Sequence, residues 1–228
     1  MFEVNSELKV KIEKVKDITW ESISDGVVKY SSDTVEKMVF IIDDFYKNPD
    51  EIRDCAIKSK TYTDKERLAG AIGRRVWDEE FEIMNQLNIN LCPVFEQLCL
   101  YPKWHIEFDK EHHYNKWQYM RFVVNVTSNK EIVNSGRDWK TICHVDGPYN
   151  KWAALVFLNK ENECEGGTSF YSVSIPNSDG TTNSPKLEYT CDMKYNRCIL
   201  YDANQIHGAV MEPHMFKTCD RLTQIMFF

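Results

Sequence analysis

The chain holds six histidines, at positions 105, 112, 113, 144, 207 and 214, and any site built from imidazoles must draw on these. One of them opens the triplet His144-Val145-Asp146, within Thr141-Ile-Cys-His-Val-Asp-Gly-Pro148. Side chains alternate between the two faces of a strand, so His144 and Asp146 share a face and aim a nitrogen and a carboxylate oxygen at one spot. Cys143 points the other way and is not a ligand on this reading. A third donor, His207, lies in Arg197-Cys-Ile-Leu-Tyr-Asp-Ala-Asn-Gln-Ile-His-Gly-Ala-Val210, where two strand-like runs bracket a polar turn. Two neutral imidazoles and one carboxylate hold a divalent metal and leave coordination positions open for other ligands.

The other histidine-rich segment, Trp104-His-Ile-Glu-Phe-Asp-Lys-Glu-His-His113, also carries ligand types. Its polar residues run without an apolar scaffold to fix more than one of them, and metal ligands need rigid support. His105, Glu107, His112 and His113 are therefore read as a solvated strand and loop. Arg221 opens the apolar terminal run Arg-Leu-Thr-Gln-Ile-Met-Phe-Phe228, with Thr223 on the same face. A guanidinium there is either a salt bridge at a sheet edge or a buried cation awaiting an anion, because burying it without one is costly.

Taken together, His144-x-Asp146, His207 and Arg221 resemble the iron(II)- and 2-oxoglutarate-dependent dioxygenases, whose double-stranded β-helix carries a His-x-Asp, a His and an Arg in this order. Glu165-Gly-Gly-Thr-Ser-Phe-Tyr171 is similar to the Gly-Gly-x-Thr-x-Phe segment of the prolyl-hydroxylase-like branch, one residue shorter, and Arg221-x-Thr223 resembles an Arg-x-Ser pair of other branches. Ile42-Asp-Asp-Phe-Tyr-Lys-Asn-Pro-Asp-Glu-Ile-Arg53 resembles the strand-to-helix approach that precedes such cores. The resemblance covers residues 117–228 and extends to 39–60.

It implies Fe(II) held by His144, Asp146 and His207, with 2-oxoglutarate and O2 as cosubstrates. It also implies Arg221 and Thr223 at the far carboxylate, and oxidative decarboxylation to succinate and CO2 coupled to attack on a C–H bond. Arginine suits that role because its planar fork binds a carboxylate through two parallel hydrogen bonds. The substrate class implied is an amino-acid side chain, free or in a peptide or protein, and the carboxylate of Asp146 argues against halogenation. Tyr149, Trp152 and Tyr171 flank the site as candidate pocket residues, and Tyr119, Arg121 and Asn125 share a strand face that could touch the cosubstrate. A cupin-like isomerase or binding module would use the same three ligands but not the arginine. A metal-free jelly-roll module would need neither.

These residues require a particular set of elements. Seven short runs, 117–127, 139–145, 152–159, 168–175, 197–202, 206–211 and 221–228, alternate in strand fashion between turn residues and predict a sandwich or barrel. Residues 176–185 are polar and rich in turn formers, a surface loop. Upstream, 35–42 reads as a strand and Asn48-Pro49-Asp50-Glu51 as a helix start, with Ile52, Cys55, Ala56 and Ile57 on one apolar face. A second helical stretch spans 78–100, interrupted at Pro93. The expected fold is α+β, mainly β: one domain, 1–228, with an α-rich supporting region over 1–116 and a double-stranded β-helix (jelly-roll, cupin-like) core over 117–228.

Composition sets the outer bounds. A formal net charge of −7 argues against a nucleic-acid binder. No run approaches ~18 apolar residues, so no spanning helix is expected. The N-terminal segment is charged and lacks a leader-like apolar stretch, and the eight cysteines form no C-x-x-C pair. That pattern reads as reduced thiols in a cytoplasmic protein with a small-molecule, peptide or protein substrate. Nothing in the residues speaks to oligomeric state.

Overall fold

A computed structural model of the chain describes residues 3–24, 27–58, 74–77, 94, 98, 123–136, 143–146, 152–172 and 185–227. These form two antiparallel sheets and few helices. The strands are β1 (Lys9–Ser24), β2 (Val27–Asp43), β3 (Arg74–Trp77), β4 (Val123–Thr127), β5 (Trp152–Phe157), β6 (Gly167–Ser172), β7 (Lys186–Asp192), β8 (Cys198–Asp202), β9 (His207–Val210) and β10 (Arg221–Phe227). The larger sheet has the order β1-β2-β8-β5-β10-β4-β3 and the smaller β7-β6-β9. His144 forms an isolated antiparallel bridge to His207 and so lies beside β9.

The larger sheet is the middle layer. One of its faces packs on α1 (Pro49–Lys58) through Phe40, Ile42, Trp152, Ala154, Val156, Leu200 and Leu222, with Ile52 and Ala56 from the helix. The other face meets the smaller sheet through Val39, Ala153, Leu155, Phe157, Ile199 and Tyr201, with Phe170 and Cys191 opposite. Buried on both sides, β5 carries no polar residue in Trp152-Ala-Ala-Leu-Val-Phe157, as expected of a central strand.

Helix α1 begins at Pro49 with Asp50 and Glu51 in its first turn, as the sequence predicts. Ile52 and Ala56, one turn apart, are buried, whereas Ile57 falls off that face and is half exposed. The N-terminal helical layer is not what the described residues form. Residues 9–43 make a long hairpin, β1–β2, whose second strand pairs with β8 inside the larger sheet. The predicted strand 35–42 is its final stretch. The helix expected over 78–100 lies outside the described residues except Val94 and Leu98. These two are joined by a backbone hydrogen bond and packed on the α1 side.

In the C-terminal half, strands occur in six of the seven predicted runs; of the 139–145 run the described residues are 143–145, where His144 makes an isolated bridge. Three elements are additional, one of them a single 3-10 turn at Pro213–Met215. Helix α2 (Asn129–Ser135) follows a capping box in which Ser128 and Glu131 satisfy each other's backbone N–H. Strand β7 is an edge of the smaller sheet, and the loop expected over 176–185 lies outside the described residues except Pro185. Among the described residues, no helix is long and apolar enough to cross a membrane.

Candidate metal centre

His144, Asp146 and His207 come together, with one potential ligand atom from each lying within 4.8 Å of the others. The positioning is done by backbone. His144 and His207 exchange N–H···O bonds of 2.8 and 2.9 Å, and the Asp146 N–H donates to Ala203 O at 2.9 Å. The segment 143–146 is thereby stitched to β9 on one side and to the turn after β8 on the other. Within the site His144 Nε2 lies 3.6 Å from Asp146 Oδ1, and His207 Nε2 lies 3.4 Å from Asp146 Oδ2. The His144 side chain is 54% exposed whereas Asp146 and His207 are 9% and 5% exposed, so the site opens on the His144 side.

The tautomer of His207 follows from its surroundings. Its Nδ1 lies 2.9 Å from Gln205 O, and a carbonyl only accepts, so Nδ1 carries the proton and Nε2 presents its lone pair to Asp146. Burial holds the His207 pKa below its usual value. For Asp146, burial pushes the carboxyl up, but the neighbouring His207 and the His144 and Tyr201 hydrogen bonds outweigh it, and the pKa lies below the ordinary range. A carboxylate with two imidazole nitrogens is the donor set a divalent transition metal takes, so the residues present fit such an ion. Cys143 is half-buried and is not in the ligand group.

At the other end of the same interior stands Arg221. Its Nη1 donates to Val210 O and its Nη2 to Gly167 O, both at 2.9 Å, and Nε donates to Thr223 Oγ1 at 3.2 Å. The guanidinium lies 5.8 Å from the Phe157 ring centroid. It is 4% exposed, and no carboxylate among the described residues pairs with it. Burial draws its pKa down to about 10, which leaves it charged at neutral pH. Gly167 pairs with Val210 and Phe170 with His207, three residues further along β6. At ~3.4 Å per residue, Arg221 anchors about 10 Å along the sheet from the His207 level.

The glycine pair makes that anchorage possible. Gly166 has φ +124°, and a Cβ there would lie 2.4 Å from Val210 O; one at Gly167 would lie 2.2 Å from Cys191 O. Any larger residue would push β6 off its neighbours and pull Gly167 O from the guanidinium.

The candidate pocket residues fare differently. Trp152 is a correction: its cross-strand partner is Asp202, whereas Ala153 pairs with Tyr201, so the indole lies on the α1 side. There it packs edge-on to Phe40 with centroids 6.2 Å apart. Tyr171 is half-buried opposite exposed Leu187, past an irregularity in the β6–β7 register, and its backbone binds Ile206 and Gln205. Asn125 stands opposite Thr223 in the β4–β10 register. Tyr149, Tyr119, Arg121 and the His105–His113 cluster lie outside the described residues.

Two residues that sequence reasoning passed over help to build the site. Tyr201 places its hydroxyl 3.0 Å from His207 Nε2 and 3.3 Å from Asp146 Oδ2. The available signal was a phenol in the apolar run Ile199-Leu-Tyr201, since a buried tyrosine hydroxyl needs a partner. Lys37, on β2, reaches Asp17 Oδ2 at 2.7 Å, Asn204 O at 3.1 Å and Asp202 Oδ1 at 3.9 Å. It clamps the turn whose carbonyls hold Asp146 and His207.

No family model matches the chain, and no curated protein matches it.

Proposed function

We propose that this protein is an Fe(II)- and 2-oxoglutarate-dependent dioxygenase that hydroxylates a C–H bond of an amino-acid side chain, free or within a peptide or protein. The observation that carries the reading is the pairing of two unlike sites in one interior. A face of two imidazoles and a carboxylate stands about 10 Å along the sheet from a buried arginine with no carboxylate partner among the described residues. A short dicarboxylate that chelates a metal with one end and needs a cation at the other suits that interior. A cupin-like isomerase accounts for the first site only.

His144, Asp146 and His207 would hold the iron, leaving positions open for the keto acid and O2. Arg221 and Thr223 would take the far carboxylate through the guanidinium and the hydroxyl. Bound iron supplies the coupling of O2 reduction to oxidative decarboxylation of 2-oxoglutarate, giving succinate and CO2. The protein's part is to orient its two histidines through backbone bonds, to exclude water at the Arg221 end, and to leave the His144 side open to substrate. We read the two sheets as the halves of a double-stranded β-helix. The absence of any C-x-x-C pair among the eight cysteines of the sequence supports a reducing, cytoplasmic setting.

Anaerobic addition of 2-oxoglutarate to the Fe(II) form should produce a weak visible charge-transfer band, and admitting O2 should yield succinate. Fe(II) binding with neither band nor succinate would overturn the reading in favour of the cupin-like alternative.

A further inference from the structure

We propose that Tyr201 is a positioning residue of the metal centre, whose single phenolic proton covers the His207 lone pair while no ion is bound and holds back one oxygen of Asp146 once an ion takes that lone pair. The inference rests on the functional reading above and adds to it a device that keeps coordination positions open.

The argument is one of donors and acceptors. With Nδ1–H committed to Gln205 O, the neutral His207 ring offers only an acceptor at Nε2, and a carboxylate at Asp146 offers only acceptors. The Tyr201 hydroxyl lies within reach of both, at 3.0 Å from Nε2 and 3.3 Å from Asp146 Oδ2. It has one proton to give, so it serves one of them at a time, and the shorter distance assigns it to Nε2. Were an ion to take the Nε2 lone pair, the phenolic proton would be released for Oδ2, and rotation about the C–O bond would bring it there without breaking the O–H bond.

The ring itself is fixed. Tyr201 is fully buried and meets Phe170 edge to face with centroids 5.1 Å apart. Asp146 Oδ2 is then engaged by the protein, and Oδ1, which faces His144 Nε2, is left for the ion. A carboxylate gripping with both oxygens would occupy a further position, one that a chelating keto acid and O2 require between them.

The test uses the full-length protein and Co(II), which reports coordination through its visible d–d bands, with Tyr201→Phe retaining the packed ring. Thermal melts check that the variant is folded. Tyr201→Phe should bind Co(II) at least as tightly as wild type, show altered d–d intensity, and bind 2-oxoglutarate to the Co(II) form about tenfold more weakly. An unchanged 2-oxoglutarate Kd, or a tenfold loss of Co(II) affinity in the folded variant, would overturn the role assigned to Tyr201. Wild type that binds Co(II) but not 2-oxoglutarate would overturn the functional reading and this inference with it, whereas failure confined to the variant strikes this inference alone.

Discussion

The two ends of the space between the sheets are built on opposite plans. At the His207 end, each polar group is met by another part of the same chain: Nδ1 by Gln205, Nε2 by the Tyr201 hydroxyl, and the Asp146 carboxylate by the His144 imidazole. At the Arg221 end, a full positive charge is buried, among the described residues, against neutral acceptors only, two carbonyls and a hydroxyl. Carbonyl dipoles satisfy hydrogen-bond geometry but not charge, and a desolvated cation without a counter-ion is costly. One end is complete as it stands and ready to exchange a hydrogen bond for a cation. The other retains attraction for an anion. Stability alone would favour neither arrangement.

The sharpest way to break this contrast is to remove a ligand. His207→Ala deletes the buried nitrogen whose tautomer Gln205 O fixes, and metal retention should fall below detection by equilibrium dialysis. His144→Ala, which removes an exposed ring, should leave weaker but measurable binding. Equal losses would show that the backbone locking of His207 contributes nothing to the ion.

Arg221→Ala tests the opposite end. Leaving the far carboxylate unpaired costs about 2–5 kcal/mol, a ~30- to several-thousand-fold weaker 2-oxoglutarate complex. Metal affinity should hardly change. The melting temperature should also drop by roughly 4–10 °C, because Val210 O and Gly167 O lose their donor in a buried place. Arg221→Lys should recover part of the binding but not the fork that reaches both carbonyls. A cosubstrate Kd that is indifferent to both changes would remove the anion from the comparison.

That contrast was half legible in the sequence. Strand alternation alone put His144 beside Asp146 and Arg221 beside Thr223, and the strands β5, β6, β8, β9 and β10 lie where apolar runs and turn residues marked them. The misses share a cause. On β1, Val10 packs toward α1 and Val15 toward the smaller sheet, while Ile12 is exposed, so no single face stays apolar along the strand. On β7, an edge strand, only Cys191 of Lys186-Leu-Glu-Tyr-Thr-Cys-Asp192 is fully buried. Trp152 was misassigned because β5 is covered on both faces, and periodicity cannot say which layer a residue meets. Local pattern marks Tyr201 only as a buried phenol in need of a partner, without saying which, and carries no trace of Lys37, whose partners are distant in sequence.

Lys37 links the hairpin that sequence reading missed to the site that it found. Lys37→Met withdraws the cation from buried Asp17 and from Asn204 O. A loss of about 2 kcal/mol in stability is expected in urea denaturation. The turn that carries Ala203 O and Gln205 O should loosen with it, and weakened outer-shell support typically lowers metal affinity ~10-fold or more. Stability lost with metal affinity intact would mean that the hairpin supports the sheet but not the site.

The smallest effect is the control, at an ion pair remote from both ends. Asp43, closing β2, receives Arg197 Nε at 2.6 Å and Lys194 Nζ at 2.8 Å. The Arg197 hydrogen bond, with that from Lys194, holds the Asp43 carboxyl down to about 2 against the penalty of partial burial. Because the folded pKa lies below the unfolded value, the pair stabilises above the unfolded pKa of about 4, and that contribution is lost as pH falls from about 4 to 2. Solvent screening at this partly exposed site limits it to about 1 kcal/mol. Asp43→Asn should therefore flatten stability against pH in that window and lower it by the same small amount at neutral pH. Co(II) and 2-oxoglutarate affinities should stay at wild-type values, because the change leaves in place the Arg197 bond to Asp192 O, the residue opposite Gly167. If this variant weakened either ligand as much as Lys37→Met does, loss of stability alone would account for both effects, and the Lys37 clamp would have no separate part in the site.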